Sequence, residues 1–242
     1  DKEDIIRRLA RVLERHDEAN REVVKEHDEV LEEHLDVHRR VVRSNIEVLR
    51  TLLELVEKLD SEDLKRVLDE VRKRLEKSLE ELERRLRESD KKSETVIRKN
   101  EKAVRESAEA LKDVIRKLKE ARDDEKVKET AKKVRELLER LIELNRRWVE
   151  ALRRLNERLN KLNRDAIELS RRLLKELEDL TREGVPEKDI RKVIEDIERL
   201  HRESMEEVRK LVEEIKRLNK EVLKRSEELV EEAKRLLKEV AD

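Results

Sequence analysis

The chain has 242 residues, of which 64 are Lys or Arg and 65 are Asp or Glu, so its formal net charge is -1. With one Gly and one Pro, it lacks the turn residues that β-sandwiches and α/β folds need. The absence of Cys excludes disulfides, iron–sulfur clusters and thiolate zinc sites, and the balanced charge removes the electrostatic basis for binding nucleic acid or anionic lipid.

The first predicted element is a long helix. Apolar residues recur every three or four positions from Ile5 to Leu59, which is the pattern of an amphipathic α-helix. We therefore predict a helix over about 5–59. The stretch Asp60-Ser61-Glu62-Asp63 supplies an N-cap and an acidic first turn, and a second helix is predicted over 61–121.

Two further helices follow in the second half. Asp123-Asp124-Glu125 marks the start of a third helix over 124–183. Gly184-Val185-Pro186 places the only Gly where that helix ends and the only Pro where a fourth, over 187–240, begins. Near-equal helices joined by very short turns run antiparallel to their neighbours. The sequence thus predicts an all-α fold, a single-chain antiparallel up-down-up-down four-helix bundle, as one elongated domain over 1–242 and about 90 Å long.

The recurring apolar residues form a stripe along each predicted helix, and the spacing within this stripe indicates the degree of supercoiling. Its positions recur at 18-residue offsets, as in Ile6, Val24 and Val42. This corresponds to about 3.6 residues per turn, between the 3.5 of a left-handed and the roughly 3.67 of a right-handed supercoil. We expect nearly straight helices with little supercoil.

Polar residues occupy several positions of the stripes. An unpaired buried polar group costs about 1–3 kcal/mol, so we expect these residues to pair in layers that specify helix pairing and register. One predicted layer contains Asn20, Asn100, Asn145 and Ser226, and another contains Asn45, Ser78, Ser170 and His201. The other members of the predicted buried network are His16, His27, His34, His38, Ser89, Ser93, Ser107, Asn156, Asn163, Ser204 and Asn219.

Histidine is the residue type in this chain that is best suited to metal binding or acid–base catalysis. His34 and His38 have the i, i+4 spacing of a helical metal chelate, but a zinc site needs three or four converging ligands, and the neighbouring helices offer Ser and Asn. Glu198 and His201 match the Glu-x-x-His of di-iron bundles only once. A Ser89–His34 nucleophile would lack an oxyanion hole on regular helices. We predict no enzyme, no metal and no cofactor.

The chain resembles computationally designed (de novo) helical bundles with buried hydrogen-bond networks. The resemblance rests on the straight-helix repeat, the aliphatic core, the surface rich in Glu, Lys and Arg, the minimal loops and the layered Ser, Asn and His residues, and it covers the whole chain. Natural spectrin-like or tropomyosin-like rods normally carry aromatics, heptads and more varied loops. Trp148 is interpreted as core or boundary packing.

The resemblance implies a structural scaffold without natural biochemical activity. The alternative is a pH-responsive or partner-binding switch that uses the buried histidines of the first helix. We expect a monomer that requires no partner, with designed self- or hetero-association as the alternative. No nucleic acid, membrane span or signal peptide is expected. No natural localisation is predicted, and recombinant protein should be soluble and cytoplasmic.

Overall fold

The protein is an all-α four-helix bundle. The computed structural model describes residues 2–56, 58, 61–121, 125–183 and 187–241. The helices are α1 (Lys2–Val56), α2 (Ser61–Ala121), α3 (Glu125–Glu183) and α4 (Glu187–Ala241). They contain 55, 61, 59 and 55 residues, uninterrupted by Gly or Pro, the two residues least compatible with a helix interior.

The end of α1 differs from the prediction. The helix ends at Val56 rather than at residue 59. The N–H of Lys58 donates to the carbonyl of Leu55 at 3.1 Å, an i to i-3 bond that tightens the chain after the last α-helical turn. The predicted cap residue Asp60, the predicted α3 start at Asp123-Asp124 and the predicted Gly184-Val185-Pro186 turn lie outside the described residues.

The chain forms two compact units. Unit 1 comprises residues 1–29, 92–154 and 214–242, and unit 2 comprises residues 30–91 and 155–213. Each helix contributes one segment to each unit.

In unit 1, α1 and α4 run antiparallel. Glu14 pairs with Lys234 at 3.6 Å and Arg21 pairs with Glu227 at 2.9 Å, so residue numbers rise along one helix as they fall along the other. The four segments enclose an aliphatic core, whose buried members include Leu9, Leu13, Leu111, Ile115, Val134, Leu138, Val230 and Leu237.

In unit 2, α2 and α3 run antiparallel. Arg72 pairs with Glu178 at 3.0 Å and Arg171 pairs with Glu83 at 2.6 Å. The aliphatic core of this unit includes Val37, Val41, Leu75, Leu79, Leu82, Leu86, Ala166 and Ile167.

Candidate functional site

Most of the predicted network residues lie inside the bundle. The half-buried ones are Ser78, Ser107, Asn156 and Ser204. The following are at most 9% exposed: His16, Asn20, His27, His34, His38, Asn45, Ser89, Ser93, Asn100, Asn145, Asn163, Ser170, His201, Asn219 and Ser226. Many of them join in four hydrogen-bonded clusters, two in each unit, which we name after a member: the His16, Trp148, His38 and Asn45 clusters.

The His16 cluster joins α1 to α4 in unit 1. The Asn20 amide nitrogen donates to Ser226 Oγ at 2.8 Å and lies 3.2 Å from His16 Nε2. Asn100 was predicted in the same layer, but its side chain is 1% exposed and neither its amide nitrogen nor its oxygen has a hydrogen-bond partner. Asn100 is therefore buried as predicted, but the hydrogen bond that the predicted layer requires of it is absent.

The Trp148 cluster joins α3, α4 and α1 in unit 1. The indole N–H of Trp148 donates to Asn219 Oδ1 at 2.9 Å. The Asn219 amide nitrogen lies 3.1 Å from His27 Nδ1 and donates to Asp28 Oδ1 at 3.2 Å. Trp148 is buried, as expected of a packing residue, but its hydrogen bond to Asn219 was not predicted. Its position opposite a polar stripe residue was the only available signal, since a buried indole normally has a hydrogen-bond acceptor.

The His38 cluster contacts all four helices of unit 2. Ser204 Oγ lies 3.2 Å from His38 Nε2, and His38 Nδ1 lies 3.0 Å from Asn163 Oδ1. The Asn163 amide nitrogen lies 3.4 Å from His34 Nδ1. The far side of the His34 ring, Nε2, lies 3.7 Å from Asp90 Oδ1, which is longer than a hydrogen bond but close enough for electrostatic attraction.

The Asn45 cluster is centred on one amide of α1. The Asn45 amide nitrogen donates to Ser170 Oγ of α3 and lies 3.0 Å from His201 Nε2 of α4. The Ser170 hydroxyl in turn donates to the carbonyl of Ala166 at 3.0 Å. Three residues of the predicted layer thus meet, whereas the fourth, Ser78, is half-buried beside a surface groove.

Burial keeps His16, His34 and His38 neutral at pH 7. Desolvation lowers the pKa of His16, His34 and His38 from 6.5 to about 4, because a buried site disfavours the charged imidazolium. Nearby groups modify this effect. The charge of Glu33 raises the pKa of His34, whereas the charge of His201 lowers that of His38 further. Burial also lowers the pKa of His201 itself. A neutral imidazole can donate at one nitrogen and accept at the other.

One buried carboxyl group, Asp17, and one half-buried one, Asp90, were not predicted. Asp17 is 5% exposed, its Oδ1 has no hydrogen-bond partner, and burial raises its pKa to about 6 although the charge of Arg21 opposes the shift. Burial likewise raises the pKa of Asp90, against the charge of Arg164. Asp17 follows buried Leu13 by four residues, so the helical period places it on the core face.

The clusters are rich in amides rather than in metal ligands. Within the described ranges, no group of three or more His, Cys, Asp or Glu side chains is placed to hold a metal ion. None of the described helices is both long and apolar enough to cross a bilayer. Comparison with protein-family models, with curated proteins and with solved structures finds no match to this chain.

Proposed function

We propose that the chain is a de novo designed structural scaffold without natural biochemical activity, in which the buried clusters specify which helices pair and at which register. The aliphatic cores of the two units supply the burial that drives folding. The absence of a match among known proteins supports a designed origin. So does the sequence, with its charge-saturated surface and single Gly and Pro.

The observation that carries the proposal is the position of Asn45. Its one amide nitrogen meets Ser170 of α3 and His201 of α4, so a single side chain of α1 sets its alignment against two other helices. Sliding any of the three by one helical turn, about 5.4 Å, would separate these groups while leaving them buried. Each unpaired group then costs about 1–3 kcal/mol. Aliphatic side chains tolerate repacking far better, so the polar cluster selects the register.

A double-mutant cycle tests this assignment. We expect Asn45→Ala and His201→Ala to show a coupling free energy of about 0.5–3 kcal/mol in chemical denaturation, as residues of one hydrogen-bond network do. The matched control is Leu200→Ala, because Leu200 adjoins His201 in the chain but is 45% exposed. Its effect should add to that of Asn45→Ala within about 0.5 kcal/mol. Equal coupling in the two cycles would contradict the proposal.

The second candidate function is a pH-responsive switch. It is supported by the lowered pKa values of His34 and His38. Charged or titratable groups near the two rings are Glu33 and Asp90 for His34 and His201 for His38. A switch requires the bundle to open, not only its free energy of unfolding to fall. The test is therefore the helical circular dichroism signal and dye binding to exposed apolar surface between pH 7.5 and 5. Unchanged signals over that range would exclude a switch.

A further inference from the structure

The His38 cluster has a hydrogen-bond direction that follows from the orientation of the Asn163 amide. At the far end, Asp90 Oδ1 lies 3.7 Å from His34 Nε2, too far for a hydrogen bond, but its negative charge attracts a proton on that nitrogen. His34 Nδ1 is then an acceptor and receives the Asn163 amide N–H. The Asn163 oxygen is left facing His38 Nδ1, which must carry the proton of that ring.

The same reasoning fixes the last link. Because the His38 proton is on Nδ1, its Nε2 is an acceptor, and the Ser204 hydroxyl 3.2 Å away donates to it. A hydroxyl bonded to a neutral imidazole, whose other nitrogen donates to an oxygen acceptor, is the arrangement that activates a serine nucleophile. Ser204, His38 and Asn163 therefore have the connectivity of a nucleophilic triad.

The three residues of this triad differ in their exposure to solvent. His38 is 0% and Asn163 1% exposed, so the base and its positioning residue are shielded from water. Ser204 itself is half-buried and can be approached from solvent. One turn earlier on α4, Leu200 is 45% exposed and presents apolar surface near the hydroxyl.

We propose that the Ser204–His38–Asn163 triad is an acylation site for activated aryl esters of small carboxylic acids, an activity beyond the scaffold role. Ser204 Oγ attacks the ester carbonyl carbon while its proton moves to His38 Nε2. The tetrahedral adduct collapses, the bond from carbon to the aryl oxygen breaks, and the aryloxide leaves with that electron pair. The His38 imidazolium then loses its Nε2 proton to solvent. Water attacks the acyl carbon while giving a proton to His38 Nε2, the bond from that carbon to Ser204 Oγ breaks, and His38 returns the proton to Oγ as the carboxylic acid leaves.

The surroundings restrict the substrate to esters with good leaving groups. Backbone N–H groups in mid-helix are occupied by i to i-4 bonds, so they cannot stabilise the oxyanion. Asn163 is neutral and, unlike a carboxylate, adds no negative charge to favour the imidazolium of His38. An aryloxide that leaves unprotonated removes the need for a general acid, so p-nitrophenyl acetate is the appropriate probe.

The test measures p-nitrophenolate release and maps the acetylated residue by peptide mass spectrometry. We expect acetyl-Ser204 to form faster than any other acetyl-serine, and Ser204→Ala to remove this product and its share of the initial release. The matched control is Ser44→Ala, because Ser44 is half-buried like Ser204 and lies beside a surface groove. It should leave acetylation of Ser204 unchanged. Acetylation of Ser204 no faster than that of Ser44 would overturn the proposal.

A second variant separates activation from mere exposure of the hydroxyl. Asn163→Asp keeps the oxygen acceptor for His38 Nδ1 and adds the charge that stabilises its imidazolium. General-base catalysis contributes about 10²–10⁴-fold, so we expect Ser204 acetylation to accelerate about tenfold or more in a variant with unchanged helical circular dichroism. Slower or unchanged acetylation in that folded variant would show that His38 does not act as the base. If the variant unfolds, comparison of the acetylation rates of Ser204 and Ser44, two half-buried serines, still decides the proposal.

Discussion

The indole N–H of Trp148 donates to Asn219 Oδ1 at 2.9 Å, and this one contact fixes how the Asn219 amide is oriented. An indole nitrogen can only donate, so the amide oxygen must face it. The amide nitrogen is then directed at His27 Nδ1, 3.1 Å away. His27 Nδ1 is consequently an acceptor, which places the proton of the neutral ring on Nε2.

Replacing Trp148 with Phe tests this chain of contacts. The substitution removes the donor and leaves the Asn219 oxygen buried, so we expect the free energy of unfolding to fall by about 1–3 kcal/mol. In an Asn219→Leu background there is no oxygen to leave unpaired, and the same substitution should cost less. Equal costs in the two backgrounds would contradict the account. Nitrogen NMR of the His27 ring should show an unprotonated Nδ1 in the parent protein at pH 7.5.

Asn100 and Asn219 should respond in opposite ways to the same substitution. Asn100 is buried in unit 1 with both amide atoms unpartnered, so Asn100→Leu should raise the free energy of unfolding by about 1–3 kcal/mol. Asn219→Leu should lower it, because Trp148 and His27 lose their partner. Chemical denaturation of the two variants measures both effects. Destabilisation by Asn100→Leu as large as that by Asn219→Leu would show that Asn100 makes equivalent bonds.

Asp17 should reduce stability at neutral pH. Its folded pKa of about 6 lies above the ordinary 3.8, so folding disfavours the ionised form, and this penalty is complete above pH 6 and absent below about pH 4. We expect Asp17→Asn to stabilise the protein by about 1–2 kcal/mol at pH 7.5, with a gain that shrinks at pH 4.5. The control is Glu18→Gln at its exposed neighbour, expected within about 0.5 kcal/mol of the parent. A gain independent of pH would rule out the charge as its cause.

Acid should weaken unit 2 through its histidines. The folded pKa values of His34 and His38, about 4, lie below 6.5, so the folded state binds fewer protons than the unfolded state. Their contribution to stability is complete above pH 6.5 and is lost as the pH falls towards 4. At pH 5 the loss is about 2 kcal/mol for each histidine. His201 acts in the same direction, and Asp90, whose pKa is raised, opposes it.

Unit 1 should respond less to acid, because two buried groups of shifted pKa in it, His16 and Asp17, oppose each other. The pKa of His16 is lowered to about 4 and that of Asp17 is raised to about 6. Between pH 6 and 4, His16 lowers the free energy of unfolding as the pH falls, while protonation of Asp17 raises it. Hydrogen exchange at pH 7.5 and 5, corrected for the intrinsic pH dependence, should show the larger loss of protection in residues 30–91 and 155–213. Equal losses in both units would contradict these assignments.

The sequence predicted the helices better than it predicted the contacts of individual polar side chains. Hydrophobic periodicity and the scarcity of Gly and Pro sufficed to locate four helices, and α1 ended three residues early because a local Lys58–Leu55 bond replaced its last turn. Counting residues from each turn gave the height of a side chain along the bundle, which is why Asn45 and His201 were placed together. It could not show whether a buried amide has a hydrogen-bond partner, and Asn100 has none.

Charge was the other source of error. Asp17 lies on the apolar period but was not among the predicted buried residues, since unpaired carboxylates are seldom buried. The pairing of His34 with Asp90 was missed for the same reason. Periodicity was the better guide at both positions, because a helix in a bundle buries one face regardless of the residue that occupies it.

Distance measurement between spin labels tests most directly whether the clusters specify register. The chain has no Cys, so labels can be attached only at cysteines introduced in place of exposed Arg43 of α1 and Arg202 of α4, both in unit 2. In the parent we expect one narrow distance distribution. Replacing the Asn45 cluster with apolar residues (Asn45→Leu, Ser170→Ala, His201→Leu) should broaden or split it, with equal or greater stability in denaturant. A single narrow distribution at the same distance in the apolar variant would contradict the account.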